Sequence, residues 1–506
     1  MKKENLKSIL LALLFAVSFV LTQRLWFYLP LGGMISTAKD IELEDIDIDI
    51  TDILSPQDFV ISFGGGDYAT FFSEPYEVWN ITEDTKDVSI WETSKEVLRD
   101  YLTKDFEINE VDYDEWKKII KFKSIRMNFA CEMPSDSFIR AISSEDNNVP
   151  EMKNDIDTIL ILATNEKDIN NIYFGNNSQN IYFKVKGNVA DSRIRRLIEN
   201  IGEIREEKGY ISSLPLYSSV DKDVFTPVFS NESGEYIPSY SAKNQIDVSD
   251  KAGVKSIAYK FFGRTFDFVK EINEIDGTII YMYGYGEKAL KFYENGTLEY
   301  LEKTNKDESG NDLDFIDSLK YAAKFVDDNV DWPINIENAY LSGYKTIEQD
   351  NKTGYLFTFN YRLKGLPVFI PDIAWDEGIQ VSIVGSQIIE YKRIVKLPPQ
   401  ELNNNGNERP SILNDEKEKN VLNVTEVLKK NKNYIKNNYI MLSGNEVEED
   451  KIKDFKIEPL IEDIGLVYYV YGDKLIPVWE ITIDNIVYYF DLYTGTNYTS
   501  TNKYFH

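Results

Sequence analysis

The chain has 506 residues, a length that predicts more than one domain, and a formal net charge of −29 at pH 7. A hydrophobic content of 42% and an aromatic content of 13% are typical of folded domains rather than of a disordered chain. So acidic a chain is repelled by nucleic acid and by anionic lipid headgroups, and its sequence has no basic patch of the kind that nucleic acid requires, which excludes a nucleic-acid-binding protein.

The N-terminal segment predicts a membrane anchor. Lysines precede an apolar run, and 9–29 is about 20 residues long, enough for a helix to cross the hydrocarbon core. Lysines on this side predict a cytoplasmic N-terminus. A cleaved signal peptide is the alternative, but it requires small residues after the apolar run, and 22–30 is bulky (TQRLWFYLP). We expect a cytoplasmic segment at 1–8, an uncleaved transmembrane helix at 9–29 and an extracellular remainder.

One face of this predicted helix carries small side chains. Ser8, Ala12 and Ala16 recur every four residues, and Gln23 continues along the same face. Small residues let a second transmembrane helix approach closely, and a glutamine can hydrogen-bond across such a contact. We expect these four residues to form an interface with a partner in the membrane. Alanine is also common in membrane helices that make no such contact, so both interpretations stay open.

Residues 30–52 predict an acidic, extended and solvated juxtamembrane linker. The alternating acids from Asp45 onward resemble the start of a calcium-binding EF-hand loop. Such a loop requires glycine where Ile50 stands and glutamate where Pro56 stands. We therefore expect no calcium site in this segment.

The remaining hydrophobic pattern alternates between strands and helices. Glycines between two alternating runs predict a β-hairpin at 55–72. Helical periodicity is found at 90–102, 112–120, 191–206, 251–263, 313–329 and 424–437. Strands are predicted at 124–129, 158–163, 171–174, 180–186, 278–284, 287–294 and 297–303, with more between 336 and 396. The pattern predicts an α+β fold in which helices pack on antiparallel sheets.

Composition divides the expected ectodomain into several domains. We expect an N-terminal α/β domain at 53–215, a central α+β domain at 216–400, an Asn-rich polar linker at 401–419 and a C-terminal α+β domain at 420–506. A repeated sequence pattern relates the last two domains. Each has a helix, an aromatic-rich strand and a proline before valine, at Pro367 and Pro477. We therefore expect two related units, each a helix packed on an antiparallel sheet.

Reactive side chains are scarce in the sequence. Cys131 is the only cysteine, which excludes an intramolecular disulfide and a cysteine-based metal site; its strand-like surroundings predict a core residue. His506 is the only histidine and stands last, which excludes a histidine-dependent hydrolase and a histidine-based zinc site. A glycosidase needs two carboxylates about 5 to 10 Å apart, and nothing marks such a pair among 85 acids. We expect no catalytic residue, metal site or cofactor.

Several segments together resemble the YycH family. They are the N-terminal string that begins MKKENLKSILLALLF, DILSPQDFVISFGGGDY at 52–68, and 259–300 with a paired phenylalanine, an Asp-Gly turn and a tyrosine-rich strand. The GLPV and PVWE elements fit as well, and PVWEITIDN followed by YYFDLYTG resembles the PepSY type of extracytoplasmic module. None of these motifs is catalytic. The acidic linker and the stretch near residue 405 depart from the family's pattern.

The resemblance implies a membrane-anchored regulator without enzymatic activity in a Gram-positive envelope. Members of this family act on a sensor histidine kinase of the WalK (YycG) type, beside a second anchored protein of the YycI type, through transmembrane helices and outer domains. The resemblance leaves the sign of the regulation open. The alternative is an envelope module that binds a peptide or glycan on its aromatic-rich C-terminal sheet, although such strands more often pack in a core.

Overall fold

The computed structural model describes the chain from residue 46 to residue 502, with gaps. The described residues are 46, 48–71, 89–103, 106–143, 154–163, 171–186, 192–204, 211–215, 224–228, 237–304, 312–371, 373, 375, 378–402, 408–413, 420–442 and 456–502. Among them no helix is long and apolar enough to span a membrane. The predicted cytoplasmic segment at 1–8 and the predicted transmembrane helix at 9–29 lie outside the described residues.

Polar caps fix the starts of several helices. The α-helices of the described residues are α1 (Ile50–Ile53), α2 (Ile90–Leu102), α3 (Tyr113–Ile119), α4 (Ser135–Ser143), α5 (Arg193–Ile204), α6 (Lys251–Phe262), α7 (Phe315–Val330) and α8 (Val424–Leu442). Ser89 Oγ accepts a hydrogen bond from the Glu92 backbone N–H at 3.3 Å. Asp112 Oδ1 accepts one from the Glu115 N–H at 2.7 Å. Each bond satisfies a donor that the first helical turn leaves open.

The N-terminal domain is built on one antiparallel sheet. Its strands are β1 (Asp58–Gly64), β2 (Asp67–Phe71), β3 (Glu107–Val111), β4 (Ser124–Pro134), β5 (Asp155–Leu162), β6 (Asn171–Asn176), β7 (Ile181–Lys186), β8 (Ile211–Pro215) and β9 (Phe225–Val228), in the spatial order β3-β7-β6-β5-β4-β1-β2-β8-β9. Helices α2, α4 and α5 pack together, and α4 and α5 contact β4. Helix α3 packs in a separate hydrophobic cluster, in which Trp116 stacks on Tyr182 with ring centroids 4.3 Å apart.

A second, larger sheet runs through the rest of the described chain. Its strands are β10 (Ser239–Ser241), β12 (Lys270–Asn273), β13 (Ile279–Tyr283), β14 (Lys288–Phe292), β15 (Leu298–Glu302), β16 (Ala339–Gln349), β17 (Lys352–Leu363), β18 (Leu366–Phe369), β19 (Ile379–Val384), β20 (Gln387–Arg393), β24 (Ile412–Leu413), β25 (Ile461–Tyr471), β26 (Lys474–Ile483), β27 (Ile486–Asp491) and β28 (Asn497–Asn502). Two small ladders accompany it: β11 (Lys243–Asn244) pairs with β21 (Lys396–Leu397), and β22 (Gln400–Leu402) with β23 (Glu408–Pro410).

The larger sheet contains the same arrangement three times: a helix followed by a meander of four antiparallel strands. The first unit is α6 with β12 to β15, the second is α7 with β16, β17, β19 and β20, and the third is α8 with β25 to β28. The first two meanders join through β15 and β20. The third joins the second through β18 and β25, which pair in parallel. The expected antiparallel sheets packed with helices are thus confirmed.

The two prolines of the repeated sequence pattern do not occupy equivalent positions in their strand pairs. Pro367 pairs with Arg362, one pair beyond the pair that closes the β17–β18 turn. Pro477 pairs with Tyr468, three pairs beyond the pair that closes the β25–β26 turn. In chain order β17 is the second strand of its meander, whereas β25 is the first. A common origin of these two units stays a prediction.

Several boundaries differ from those expected. Strand β9 extends the N-terminal sheet to Val228, past the expected end at 215. Strand β10 pairs with β24 and β26, so the start of the expected central domain lies in the C-terminal part of the sheet. The reason is a contact at long range: Tyr468 Oη donates to the Pro238 carbonyl at 3.1 Å. The expected linker at 401–419 contains β23 and β24.

Truncation of a buried residue in α1 tests this packing. Ile53 is fully buried in the core, while Ile275, on the β12–β13 turn, is fully exposed. We expect Ile53→Ala to lower the free energy of unfolding by about 2–5 kcal/mol, because it removes apolar contact and leaves a cavity. Urea unfolding followed by tryptophan fluorescence measures the change. The matched variant Ile275→Ala should change the midpoint little; equal losses for both variants would contradict the packing.

Candidate functional site at the domain junction

The segment that follows the predicted linker is buried between two domains. Residues 48–56, here called the leading segment, place Ile50, Ile53 and Leu54 in the core. Helix α1 of this segment contacts α4 of the N-terminal domain and both β16 and α7 of the second unit. The solvated linker expected at 30–52 therefore ends earlier than predicted, because its last isoleucines pack at the junction.

Local polar contacts fix the start of the leading segment. Asp49 Oδ1 accepts hydrogen bonds from the Thr51 N–H at 3.0 Å and from the Thr51 hydroxyl at 2.6 Å. Burial opposes ionisation of Asp49, but these two bonds and the charge of Lys95 outweigh it and lower the pKa of this carboxyl. Asp49 is therefore an N-cap that stays ionised at neutral pH.

A buried arginine joins the leading segment to the second unit. Arg362 of β17 is fully buried, and its guanidinium lies 4.1 Å from the ring centroid of Tyr340. It donates to the hydroxyl of Ser55 at 3.2 Å and to the carbonyl oxygens of Ser55 at 3.4 Å and Pro56 at 2.7 Å. A planar guanidinium suits such a set of fixed oxygens and stacks on an aromatic ring. The contact fixes where the leading segment meets the sheet.

A carboxyl group with a raised pKa lies two residues further on. Asp58 Oδ1 accepts a hydrogen bond from Asn128 Nδ2 at 2.6 Å. Burial is the main cause that raises its pKa to about 7, and the negative charge of Asp463 on β25 adds to it. The Asn128 bond and the charges of Arg126 and Arg362 act in the opposite direction. Side chains from the N-terminal domain, the second unit and the third unit therefore act on one carboxyl.

A small cleft opens on the face of the N-terminal sheet to which Val60 and Ser62 of β1 belong. It is shallow, with a volume of about 180 Å³ that includes space open to solvent, and it is lined by Val60, Ser62, Tyr68, Ile120, Ser124, Arg126, Leu160 and Phe225. The guanidinium of Arg126 lies 4.7 Å from the ring centroid of Phe225. Arg126 is the only charged group in this lining, so the cleft offers no pair of carboxylates for general acid–base chemistry.

A second contact between the N-terminal domain and the second unit is an ion pair. Arg140 of α4 forms an ion pair with Asp314, the N-cap of α7, at 2.9 Å. On β5, burial raises the pKa of Asp157 to about 6; the Asn177 backbone bond opposes the shift, and the charge of Glu132 adds to it. Within the described residues, no group of three or more histidine, cysteine, aspartate or glutamate side chains is placed to hold a metal ion.

Comparison with known proteins identifies the N-terminal part of the chain. Residues 4–205 match the sequence model of the family described as YycH protein, N-terminal domain. This match supports the resemblance to the YycH family for the N-terminal part of the chain. The crystal structure of YycH from Bacillus subtilis has a TM-score of 0.48 to the chain at 14% identity, over 86% of this chain and 95% of that one. That likeness is too weak to add to the assignment. No curated protein matches the chain.

The structure does not describe the four interface residues that were predicted from the sequence. The proposed membrane interface falls within the YycH match but outside the described residues: Ser8, Ala12, Ala16 and Gln23. His506 also lies outside the described residues. Cys131 of β4 lies at the junction, where its Sγ donates to the Leu341 carbonyl at 3.8 Å. Burial raises the pKa of its thiol to about 12, so the thiol stays protonated and packs at the junction without nucleophilic character.

Sequence reasoning missed the residues at the junction. Arg362 is the only charged residue in the aromatic-rich strand segment YLFTFNYRL, which is a signal for a buried charge with a specific partner. That partner is backbone some 300 residues earlier in the sequence, which no local pattern reveals. Asp58 stands at the start of a predicted strand and gives no signal of its own.

The raised pKa of Asp58 predicts a pH dependence of stability. The pKa is 3.8 for the ordinary group and about 7 in the fold, so the folded chain binds more protons between these values. This group's contribution to stability is therefore complete at about pH 4 and is lost as the pH rises through about 7. We expect Asp58→Asn to raise the melting temperature at about pH 8 and to change it little at about pH 4.

A matched variant separates this effect from a general loss of charge. Asp276 is fully exposed, and hydrogen bonds from Thr278 lower the pKa of its carboxyl. Asp276→Asn should therefore give no gain in melting temperature at high pH. Equal shifts for the two variants, measured by differential scanning fluorimetry across the pH range, would contradict the junction as the source.

Proposed function

We propose that the chain is a membrane-anchored extracytoplasmic regulator of a sensor histidine kinase of the WalK (YycG) type. The observation that carries the proposal is the YycH match, which begins at residue 4 and therefore includes the apolar run at 9–29. Residues 1–8 are then cytoplasmic, and everything after residue 29 lies outside the cell membrane. We assign the chain no enzymatic role.

The proposed contact lies in the membrane. Ser8, Ala12, Ala16 and Gln23 would meet a helix of the kinase or of a second anchored protein of the YycI type, since small residues permit close approach. Control of the kinase requires that the chain bind two kinase states with unequal affinity, because equal binding shifts no population. The sign of that difference decides whether the kinase is activated or inhibited.

The leading segment gives the ectodomain a route to the anchor. It follows the proposed anchor and linker and is held by Arg362 and by its buried isoleucines. Because these contacts hold the leading segment to both the N-terminal domain and the second unit, a partner that moves the ectodomain relative to the membrane displaces the point at which the linker leaves it. In the proposed mechanism this displacement tilts or shifts the transmembrane helix.

The aromatic C-terminal sheet supports a peptide- or glycan-binding module less well. Tyr468 and Tyr469 are buried, and Phe369 stacks on Tyr489 with ring centroids 4.3 Å apart. Of the tyrosines in VYYVYG, Tyr471 is the exposed one. Rings that pack on each other offer little surface to a ligand.

Substitution in the anchor tests the proposed function. We expect the triple variant Ser8→Leu, Ala12→Leu, Ala16→Leu to change expression of the kinase's target genes, because bulky side chains prevent close helix contact. A reporter gene for the kinase response measures the effect in cells. The control variant Val17→Leu, Ser18→Leu enlarges side chains on the other side of the helix and should leave the response unchanged. An unchanged response to both variants, at equal protein levels, would refute the transmembrane route.

A further inference from the structure

Strand β12 forms one edge of the larger sheet. Among the described residues it pairs with β13 alone, and no strand pairs with its other side. The ladder continues one residue past Asn273, because the Glu274 N–H donates to the Thr278 carbonyl at 2.8 Å. An edge strand presents backbone N–H and C=O groups that can pair with another chain. Residues 270–274, with the sequence KEINE and here called the edge segment, are therefore a place where a strand can be added.

The alternation of hydrogen bonds decides which backbone groups of the edge segment point outward. In an antiparallel ladder, residues that exchange hydrogen bonds with the neighbouring strand alternate with residues that do not. Glu274 bonds to Thr278, and so Ile272, two residues earlier, also directs its backbone groups toward β13. The N–H and C=O groups of Glu271 and Asn273 therefore point away from the sheet. An added strand has to pair with these two residues.

The side chains of the edge segment carry opposite charges at its two ends. Lys270 and Glu274 are exposed, and they lie on the same face of the sheet as Ile272 because alternate residues of a strand share a face. On that face Ile280 and Met282 of β13 are partly exposed beside the edge segment. The segment therefore presents a partly exposed apolar centre between a positive end and a negative end.

We propose that the edge segment pairs antiparallel with the edge segment of a second copy of this chain. A two-fold axis relates the two copies and keeps the same face of each sheet on the same side. Centring the pair on Ile272 places Glu271 opposite Asn273 of the second copy, so their outward backbone groups exchange hydrogen bonds. The same register places Lys270 opposite Glu274 on both sides of the axis and Ile272 opposite itself.

Other registers of the same two-fold pairing are less favourable. Centring on Glu271 places two carboxylates directly opposite each other, which is destabilising. Centring on Asn273 places the apolar Ile272 opposite the charged Glu274 and extends the pairing into the turn at 275–276. Reversal of the edge segment exchanges its positive end for its negative end, so the segment is complementary to itself. This complementarity selects a second copy over a strand of another protein.

The proposed contact is small and depends on confinement. It involves only the edge segment of each chain, whereas a stable interface contains about 20–30 residues a side. The net charge of −29 also opposes association of two copies. Confinement to a membrane raises the effective concentration, so association in cells rests on the proposed anchoring. Pairing would join two larger sheets into one, and the number of anchors in an assembly would rise with the amount of the chain in the membrane.

Disulfide cross-linking of the full chain tests the pairing. In a Cys131→Ser background, Ile272→Cys and, separately, Lys270→Cys are reconstituted into phosphatidylcholine vesicles and mildly oxidised. The proposed register puts the two Cα atoms of residue 272 about 4.5 Å apart, within reach of a disulfide, and those of residue 270 about 14 Å apart along the strands. We expect a product of twice the chain mass at position 272 and none at position 270, although Lys270 is the more exposed.

Exchange of charges supplies the second arm. In the Ile272→Cys protein, Lys270→Glu places like charges opposite each other and should lower the rate of cross-linking roughly fivefold. Adding Glu274→Lys restores opposite charges and should restore the rate, which a damaged fold would not do. Lack of a product at 272, an equal yield at 270, or a double charge variant that stays impaired would overturn the pairing.

Flotation of the vesicles tests the anchor separately. Flotation without a product at 272 would refute the pairing alone. Failure to float would refute the anchor, and a product at 272 in protein that does not float would support the pairing without it.

Discussion

The burial of one positive charge constrains the described part of the chain. Arg362 is withdrawn from water, and its guanidinium donates hydrogen bonds to oxygens of Ser55 and Pro56 from the leading segment. Removing one side of a buried charged contact costs about 3–5 kcal/mol, because the other side stays in a medium of low polarity. The leading segment therefore cannot leave the junction at low cost. That resistance to separation makes the N-terminal domain and the second unit move together.

The larger sheet extends this constraint to the other units. Pairing of β15 with β20 and of β18 with β25 joins three helix-and-meander units into one hydrogen-bonded sheet. The second unit carries Arg362, and the third contributes Asp463, which adds to the raised pKa of Asp58. Binding of a partner or a proton at either place thus acts on one hydrogen-bonded sheet.

Much of the fold was predictable from local pattern. Helix α2 begins and ends where the sequence predicts, at Ile90 and Leu102, because a serine cap and a clear apolar face mark it. Helix α4 was missed, although the shorter α3 was predicted, because it begins at Ser135 directly after strand β4, with no loop to separate the two patterns. The pairing of β10 with β26 depends on Tyr468 and Pro238, which are far apart in sequence. The junction was missed for the same reason, since a buried arginine can be recognised only with its distant partners.

Hydrogen exchange at the leading segment tests the central claim most directly. Amide exchange of the full chain in detergent micelles, followed by mass spectrometry, reports how often residues 50–56 open. The account predicts that these amides exchange as slowly as those of β17, and that Arg362→Ala accelerates them while β26 stays protected. Fast exchange of residues 50–56 in the unaltered chain, or equal exchange in the variant, would contradict the arginine as the contact that holds the leading segment at the junction.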